Sequence, residues 1–197
     1  MRPTIEIKRE QGMAVVYFNG SRTGSFYASS VDPDSFFWDA LLHRPWMLGP
    51  EYERLHPVQQ EYVLGLVADR LADQVYLECQ HAVLRDHVFL ACQDDPRTGE
   101  RITDPKHDYL MGDDDFCIYL DLVARYCAEN YPHIDVDELR GKRISARQQL
   151  IAWGQDVLRQ SPSYNPVIET VFETATHNIV VADELVDKLM RIKEVNP

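Results

Sequence analysis

The sequence predicts an α+β fold in which an N-terminal three-stranded antiparallel β-meander packs on a bundle of about five helices. Before residue 30, polar and apolar residues alternate as they do in half-buried strands. From residue 34 onwards, apolar residues recur at helical spacing, and a chain of 197 residues suits one domain. We therefore expect a single domain, with the meander in residues 1–32 and the helical part in residues 33–197.

The three predicted strands cover residues 4–9, 12–18 and 25–29. The first alternates polar and apolar side chains, and the second is rich in β-branched and aromatic residues. Asn19-Gly20, which lies between the second and third, is a favoured pair for a two-residue hairpin turn. Three strands with one apolar face need helices to cover that face.

Helices are predicted from apolar periodicity, capping residues and prolines. The first helix can be capped by Asp34 or Ser35 and ends before Pro45. The fourth begins at a capping box formed by Ser145 and Gln148. The five predicted helices cover residues 34–44, 57–92, 113–130, 145–161 and 165–192.

Two connecting segments are predicted to be loops. Residues 44–57 contain three prolines and lead into the long second helix. Residues 93–112 contain two prolines, two glycines and many polar residues. A connection as long as the second is either functional or mobile, so it belongs among the candidate functional segments.

The chain carries a net charge of −12, spread evenly over its two halves. Repulsion from phosphate backbones and anionic lipid leads us to expect no direct binding to nucleic acid or to membranes. The N-terminus lacks the apolar core of a signal peptide, and no apolar run reaches the roughly 20 residues that span a bilayer. We expect a cytosolic protein, and the sequence indicates no cofactor.

The four cysteines include no C-x-x-C pair, so the sequence predicts neither a zinc ribbon nor a thioredoxin-like redox site. They fall in apolar, helix-like stretches, where a free cysteine behaves as a small buried hydrophobe. We therefore expect reduced structural thiols at Cys79, Cys92, Cys117 and Cys127.

Residues 94–121 are strongly acidic, with nine carboxylates opposing three basic side chains. This segment holds half of the net charge of the chain in about one seventh of its length. The three consecutive aspartates at 113–115 also suit a helix start, where anionic side chains contribute about 0.3–1 kcal/mol each. One cap requires only one aspartate, so we predict a partner-binding site as well. Its candidate residues are Asp94, Asp95, Asp104, Asp108, Asp113, Asp114 and Asp115.

Two groups of residues have the spacing at which carboxylates and imidazoles share one helix face. Glu78 and His81 form a Glu-x-x-His pair, and Glu169, Glu173 and His177 follow one another at intervals of four. A di-iron bundle needs a second Glu-x-x-His motif and two further inward glutamates. The alternative is a solvent-facing stripe opposite the apolar face. We assign no metal site, and keep as secondary metal candidates Glu78, His81 and His107.

His107-Asp108 resembles the dipeptide of the HD phosphohydrolases, helical enzymes in which a histidine, the His-Asp pair and a distant aspartate bind metal. The resemblance implies His81 or His87 as the upstream ligand and Asp183 as the distant one. It covers the dipeptide alone, and here the pair lies in a predicted loop instead of an apolar helix.

Gly20-Ser21 and Asp32-Pro33-Asp34 resemble the Gly-Ser and Asp-x-Asp elements of polymerase-β-like nucleotidyltransferases. The resemblance implies that Gly-Ser opens a phosphate-holding helix and that the two aspartates lie on the next strand and hold magnesium. The proline between the aspartates departs from the pattern, because it cannot donate to a sheet ladder. A metal-dependent phosphohydrolase or nucleotidyltransferase is the alternative function that these motifs leave open.

Basic residues cluster once in the sequence, at Arg140, Lys142, Arg143 and Arg147. Such a run can bind phosphate or RNA, but no aromatic residues are interleaved with it. It also joins two predicted helices, where it can pair with neighbouring carboxylates. We therefore expect these residues to lie in a solvated loop.

The charge and the acidic segment together predict a non-enzymatic protein-binding module. Carboxylates can occupy a cationic groove that normally accepts phosphates, so the expected partner is a basic protein, such as a nucleic-acid-binding one. The expected role is that of an inhibitor or regulator of the kind that mobile elements encode. A structural subunit of an assembly is a second alternative, because long apolar helical faces often continue into homo-oligomer interfaces.

Overall fold

The computed structural model describes residues 2–86, 93–94, 101–102, 113–161, 165, 167–177 and 179–192. Over these residues the fold is α+β and predominantly helical, as predicted, with a three-stranded antiparallel sheet followed by seven α-helices. The strands are β1 Ile5–Glu10, β2 Met13–Phe18, β3 Ser21–Tyr27, β4 Gln93–Asp94 and β5 Arg101–Ile102. The helices are α1 Asp34–His43, α2 Gly49–Glu53, α3 Pro57–Asp86, α4 Asp113–Asn130, α5 Val136–Arg159, α6 Val167–His177 and α7 Ile179–Leu189.

The chain forms two compact units. Unit 1 contains Met1–Leu71 and Asp137–Pro197, and unit 2 contains Ala72–Val136. Helix α3 begins in the first unit and ends in the second. The prediction that all residues fold as one domain stays a prediction.

The N-terminal sheet has the strand order β1-β2-β3, and two tight hairpin turns connect its strands. Gln11-Gly12 and Asn19-Gly20 all have positive φ, between 50° and 80°, which suits the mirror-image turns that match the twist of a hairpin. The Asn19-Gly20 turn was predicted. Strand β3 starts at Ser21, four residues earlier than predicted, because a two-residue turn returns the chain to the sheet at once.

A cluster of buried apolar residues joins the sheet to the helices that follow it in unit 1. Apolar burial of this kind contributes about 25 cal/mol per Å² and holds these elements together. The buried members of the cluster are Val16, Phe18, Leu41, Leu48, Tyr52, Val63 and Val67.

The segment between α1 and α3 was predicted to be a loop, and this prediction was wrong. A 3-10 helix, Pro45–Leu48, leads directly into α2. Pro45 and Pro50 both occupy first-turn positions, where a helix does not need the N–H that proline lacks. Gly49, with a φ of 77°, lets the chain change direction between the two helices.

The predicted caps of α1 were also wrong, although the helix bounds are close to those expected. Pro33 is the N-cap residue, and no side chain there bonds to a free backbone N–H. Asp34 lies in the first turn and pairs with Arg9 of β1 at 2.8 Å, and Ser35 is buried. The carboxylate of Asp34 therefore forms a long-range ion pair with Arg9 instead of capping the N-terminus of α1.

Helix α5 begins nine residues before the predicted capping box, so Ser145 lies inside the helix and the predicted start was wrong. Two features favour the earlier start. Asp137 and Glu138 lie in the first turn, where carboxylates offset the helix dipole. Leu139, the next residue, is buried and adds to the apolar face that continues through Leu150.

The described residues of the predicted last helix form two helices, α6 and α7, and residue 178 between them lies outside the described residues. Both helices contribute to one core cluster in unit 1, which also includes residues of α3 and α5. Its buried members are Tyr62, Leu150, Ile151, Phe172, Ala175, Ala182, Leu185, Val186 and Leu189. The buried Gln59 of α3 donates hydrogen bonds to the carbonyls of Leu189 and Ile192, at 2.8 and 3.0 Å. These bonds supply partners to carbonyl groups near the C-terminal end of α7, where the Leu189 carbonyl also accepts a bond of 3.2 Å from the N–H of Ile192.

In unit 2, the predicted loop of residues 93–112 contains a short antiparallel pair, in which Gln93 faces Ile102 and Asp94 faces Arg101. Residues 87–92, over which the second helix was predicted to continue, lie outside the described part of the chain. Helix α4 has the predicted bounds and buries Tyr119 and Val123. Among the described residues, every helix is either too short or too polar to span a bilayer.

Candidate functional site

The predicted partner-binding aspartates divide into two groups. Asp95, Asp104 and Asp108 lie outside the described residues. The backbone of Asp94 forms part of β4, and helix α4 begins at Asp113. The three consecutive aspartates therefore start a helix, as predicted, and their binding role stays a prediction.

The described part of α4 presents a mixed acidic and apolar surface. Ile118 and Leu120 are 46% and 39% exposed, and Asp121 beside them is exposed as well. Leu120 is exposed because the buried face of the helix is centred on Tyr119 and Val123. Ile118 and Asp121, three residues apart, lie on the same face of the helix, so α4 exposes an apolar side chain next to a carboxylate.

Glu78 serves as a hydrogen-bond acceptor within unit 2. Its Oε2 accepts a bond of 2.8 Å from the hydroxyl of Tyr131, and its Oε1 accepts one of 3.1 Å from Gln74 Nε2. His81, the other half of the Glu-x-x-His pair, is exposed. Among the residues that the structure describes, no group of three or more histidine, cysteine or acidic side chains is placed to hold a metal ion.

The residues that resemble nucleotidyltransferase motifs have structural roles in this fold. Gly20 lies in a hairpin turn and Ser21 begins β3, whereas the resemblance implied a helix at this point. Asp32 accepts a bond of 2.8 Å from the N–H of Ser29 and closes a turn. Asp34 pairs with Arg9, whose guanidinium lies 4.6 Å from the centre of the Phe37 ring. Both carboxylates therefore stabilise the connection between the sheet and α1.

His87, His107 and Asp108 lie outside the described residues, as does the side chain of His177. Asp183 pairs with Arg2, and Glu169 with Arg159.

The cysteines differ from the prediction in one respect. Cys79 is buried, and its burial and a hydrogen bond with Cys127 raise the pKa of its thiol. Cys117 is exposed, because it lies on the face of α4 opposite Tyr119. The prediction of a buried structural thiol was wrong for Cys117, and Cys92 lies outside the described residues.

We expect iodoacetamide to alkylate Cys117 at least about tenfold faster than Cys79 in the native protein, because the thiolate reacts and burial suppresses its formation. Mass spectrometry of the cysteine peptides after timed labelling at pH 8 measures both rates. The same labelling in concentrated urea is the control, in which the two rates should converge. Equal rates in the native protein would contradict the burial of Cys79.

A cleft of about 380 Å³ lies within unit 1, between α3, α5 and α6. We call it the arginine cleft, because three of its lining residues are arginines one or two turns apart on α5. Its lining residues are Asp69, Arg140, Arg143, Ile144, Arg147, Gln148, Ile151 and Ala175. The basic run at residues 140–147 was predicted to lie in a solvated loop. It is part of α5, so that prediction was wrong.

Two of the arginines differ in their contacts. Arg143 donates a hydrogen bond to Asp69, whose side chain is only 19% exposed. Arg147 is half-buried and, within the described part of the chain, makes no hydrogen bond or ion pair. Burial raises the pKa of Tyr62, and the positive charges of Arg2, Arg143 and Arg147 oppose that rise. The cleft therefore combines one paired arginine with one that has no hydrogen-bond or ion-pair partner among the described residues.

The sequence contained a signal for this cleft. Positions 140, 143 and 147 follow the i, i+3, i+7 spacing of one helix face, and Lys142 falls on another face, where it pairs with Glu138 at 3.0 Å. Assigning the run to a loop concealed this spacing. Asp69 and Ala175 are distant in sequence, and nothing in the local pattern connects them to the arginines.

Comparisons of the chain with protein-family models, with curated proteins and with solved structures find no match.

Proposed function

We propose that this chain is a non-enzymatic, cytosolic binding protein whose acidic surface, centred on residues 94–115, engages a basic partner protein. The observation that carries the proposal is the composition of α4. The helix begins with three aspartates and, over the next two turns, exposes Ile118, Leu120 and Asp121. Carboxylates beside exposed apolar side chains offer a basic partner both steering and anchoring contacts.

Each component of this surface has a distinct physical task. Carboxylates attract a basic protein over about 10 Å at moderate ionic strength and so raise the rate of association. An apolar anchor such as Ile118 loses contact with water on binding and slows dissociation. Position 114 lies four residues before Ile118, so the backbone places an aspartate one helical turn from an apolar anchor.

The proposed mechanism is occlusion of a cationic groove. A nucleic-acid-binding protein holds phosphates with arginine and lysine side chains, and closely spaced carboxylates can occupy the same positions. The segment 94–121 supplies nine carboxylates against three basic residues. Its net charge of −6 suits this role, and the partner would be inhibited because its groove is filled.

The experiment compares the native chain with the variant D113N/D114N/D115N. Tagged protein is incubated with lysate, washed at low and then at high salt, and the basic protein released by salt is purified and titrated against each variant. We expect the Asn variant to bind at least about tenfold more weakly, because it lacks three negative charges that attract the basic partner and form ion pairs with it. The far-UV circular dichroism of the variant should remain that of a helical protein.

A matched control removes three charges elsewhere, in the variant E53Q/E61Q/E184Q. These three side chains are exposed and lie in unit 1, so both variants have the same net charge. The control should bind within about twofold of the native chain. Equal losses in both variants would show that total charge matters and not this surface. Unchanged binding of the Asn variant would exclude residues 113–115 from the partner-binding site.

A further inference from the structure

We propose that the arginine cleft binds a small organic phosphate monoester, with the phosphate held by Arg143 and Arg147. This inference concerns unit 1 and is independent of the acidic surface.

The charge of the cleft is opposite to that of the chain. Three guanidinium groups and one carboxylate line it, which leaves a net charge of +2, whereas the chain as a whole carries −12. A phosphate monoester at neutral pH carries close to two negative charges, and planar guanidinium groups bind its oxygens through paired hydrogen bonds. The negative charge of the rest of the chain also repels long polyanions such as nucleic acid, so a small ligand is favoured.

The position of Arg143 is set by tertiary contacts. Helix α3 crosses α5 closely at Gly65, where an added Cβ would lie 3.1 Å from the Cα of Arg143. Asp69, one turn further along α3, accepts a hydrogen bond from Arg143 Nη1. The pairing holds the guanidinium at the wall of the cleft before any ligand arrives, which reduces the entropy lost on binding.

Arg147 carries a positive charge that no ion pair within the described residues neutralises. Within the described residues it has no hydrogen-bond or ion-pair partner, although it is half-buried. A guanidinium that is partly withdrawn from water gains more from an anionic ligand than a fully solvated one does. Arg143 and Arg147 are four residues apart on α5, so both can reach one phosphate from neighbouring turns.

The size and walls of the cleft indicate what the phosphate is attached to. A volume of about 380 Å³ exceeds what a bare phosphate needs and falls in the range of small-molecule sites, roughly 300–1,000 Å³. Ile144, Ile151 and Ala175 provide apolar wall, and Gln148 adds an amide donor and acceptor. The complementary ligand therefore has a compact body with an apolar or planar part and at least one polar group.

The test is a titration of the full ¹⁵N-labelled chain with AMP, ribose 5-phosphate and phenyl phosphate, and with adenosine and inorganic phosphate as reference ligands. We expect at least one of the three monoesters to shift signals of α5 and of the Gln148 side-chain amide, with a Kd below about 1 mM. Adenosine, which lacks the phosphate, should cause no shift at these positions.

Two variants with the same change of charge locate the site. R147Q should weaken binding at least about tenfold, because it removes a cleft guanidinium that makes no hydrogen bond or ion pair with the described residues. K142Q, on the same helix but outside the cleft, should change Kd by less than about twofold.

Three results would overturn the proposal. The first is the absence of shifts with all three monoesters at saturating concentration. The second is equal weakening by R147Q and K142Q, which would indicate a general attraction to basic surface. The third is binding of inorganic phosphate as tight as that of every monoester, which would identify an adventitious ion only.

Discussion

Replacing Phe172 by alanine is expected to lower the free energy of unfolding of unit 1 by about 3–5 kcal/mol. Phe172 is 2% exposed and packs in the core cluster formed by α3, α5, α6 and α7. Truncation removes the transfer free energy of the ring and leaves a cavity that buried neighbours such as Leu150 and Val186 cannot fill without strain. The effect is large because one side chain connects several helices.

Urea titration followed by tryptophan fluorescence measures this loss, because all three tryptophans of the chain lie in unit 1. Trp153 is the most direct reporter, since it packs against the same cluster and stacks on His56 at 4.7 Å. The control is Val171→Ala, at the adjacent position, where the side chain is 43% exposed. It should change stability by less than about 0.5 kcal/mol. Similar losses in both variants would contradict the burial of Phe172.

Replacing Gly65 by leucine is expected to destabilise unit 1 by about 1–3 kcal/mol, although leucine is the better helix former. An added Cβ at Gly65 would lie 3.1 Å from the Cα of Arg143 and 3.2 Å from the Cβ of Ala146. A longer side chain must therefore push α3 and α5 apart. The displacement would also move Arg143 away from Asp69 and weaken ligand binding in the arginine cleft.

Gly141→Leu is the matched control for this helix crossing. Gly141 lies on α5, and an added Cβ there meets nothing within 4 Å. Leucine should therefore leave stability unchanged or raise it by up to about 1 kcal/mol, as helix propensity alone dictates. Urea titration of both variants gives the comparison. A stabilised Gly65→Leu variant would show that the two helices are not in close contact.

Local patterns predicted much of the fold. The Asn19-Gly20 turn, the extent of α1 and the bounds of α4 all follow from residues that are close in sequence, since turns and helix ends depend on their immediate neighbours. The same rules were wrong for Ser145, because buried Leu139 and the acidic first turn extend α5 towards its N-terminus. Local capping preferences contribute about 1 kcal/mol and yield to the burial of an apolar face.

The sequence by itself determined the α+β class, the acidic character of the chain and the helix that starts at its three aspartates. Only the tertiary structure decided that Gly65 lies at a helix crossing while Gly141 faces open space. It also placed Asp69 against Arg143, 74 residues away, and so turned a basic run into one wall of a cleft. The physical reason is that contacts of this kind depend on the packing of helices from distant parts of the chain, which no local pattern encodes.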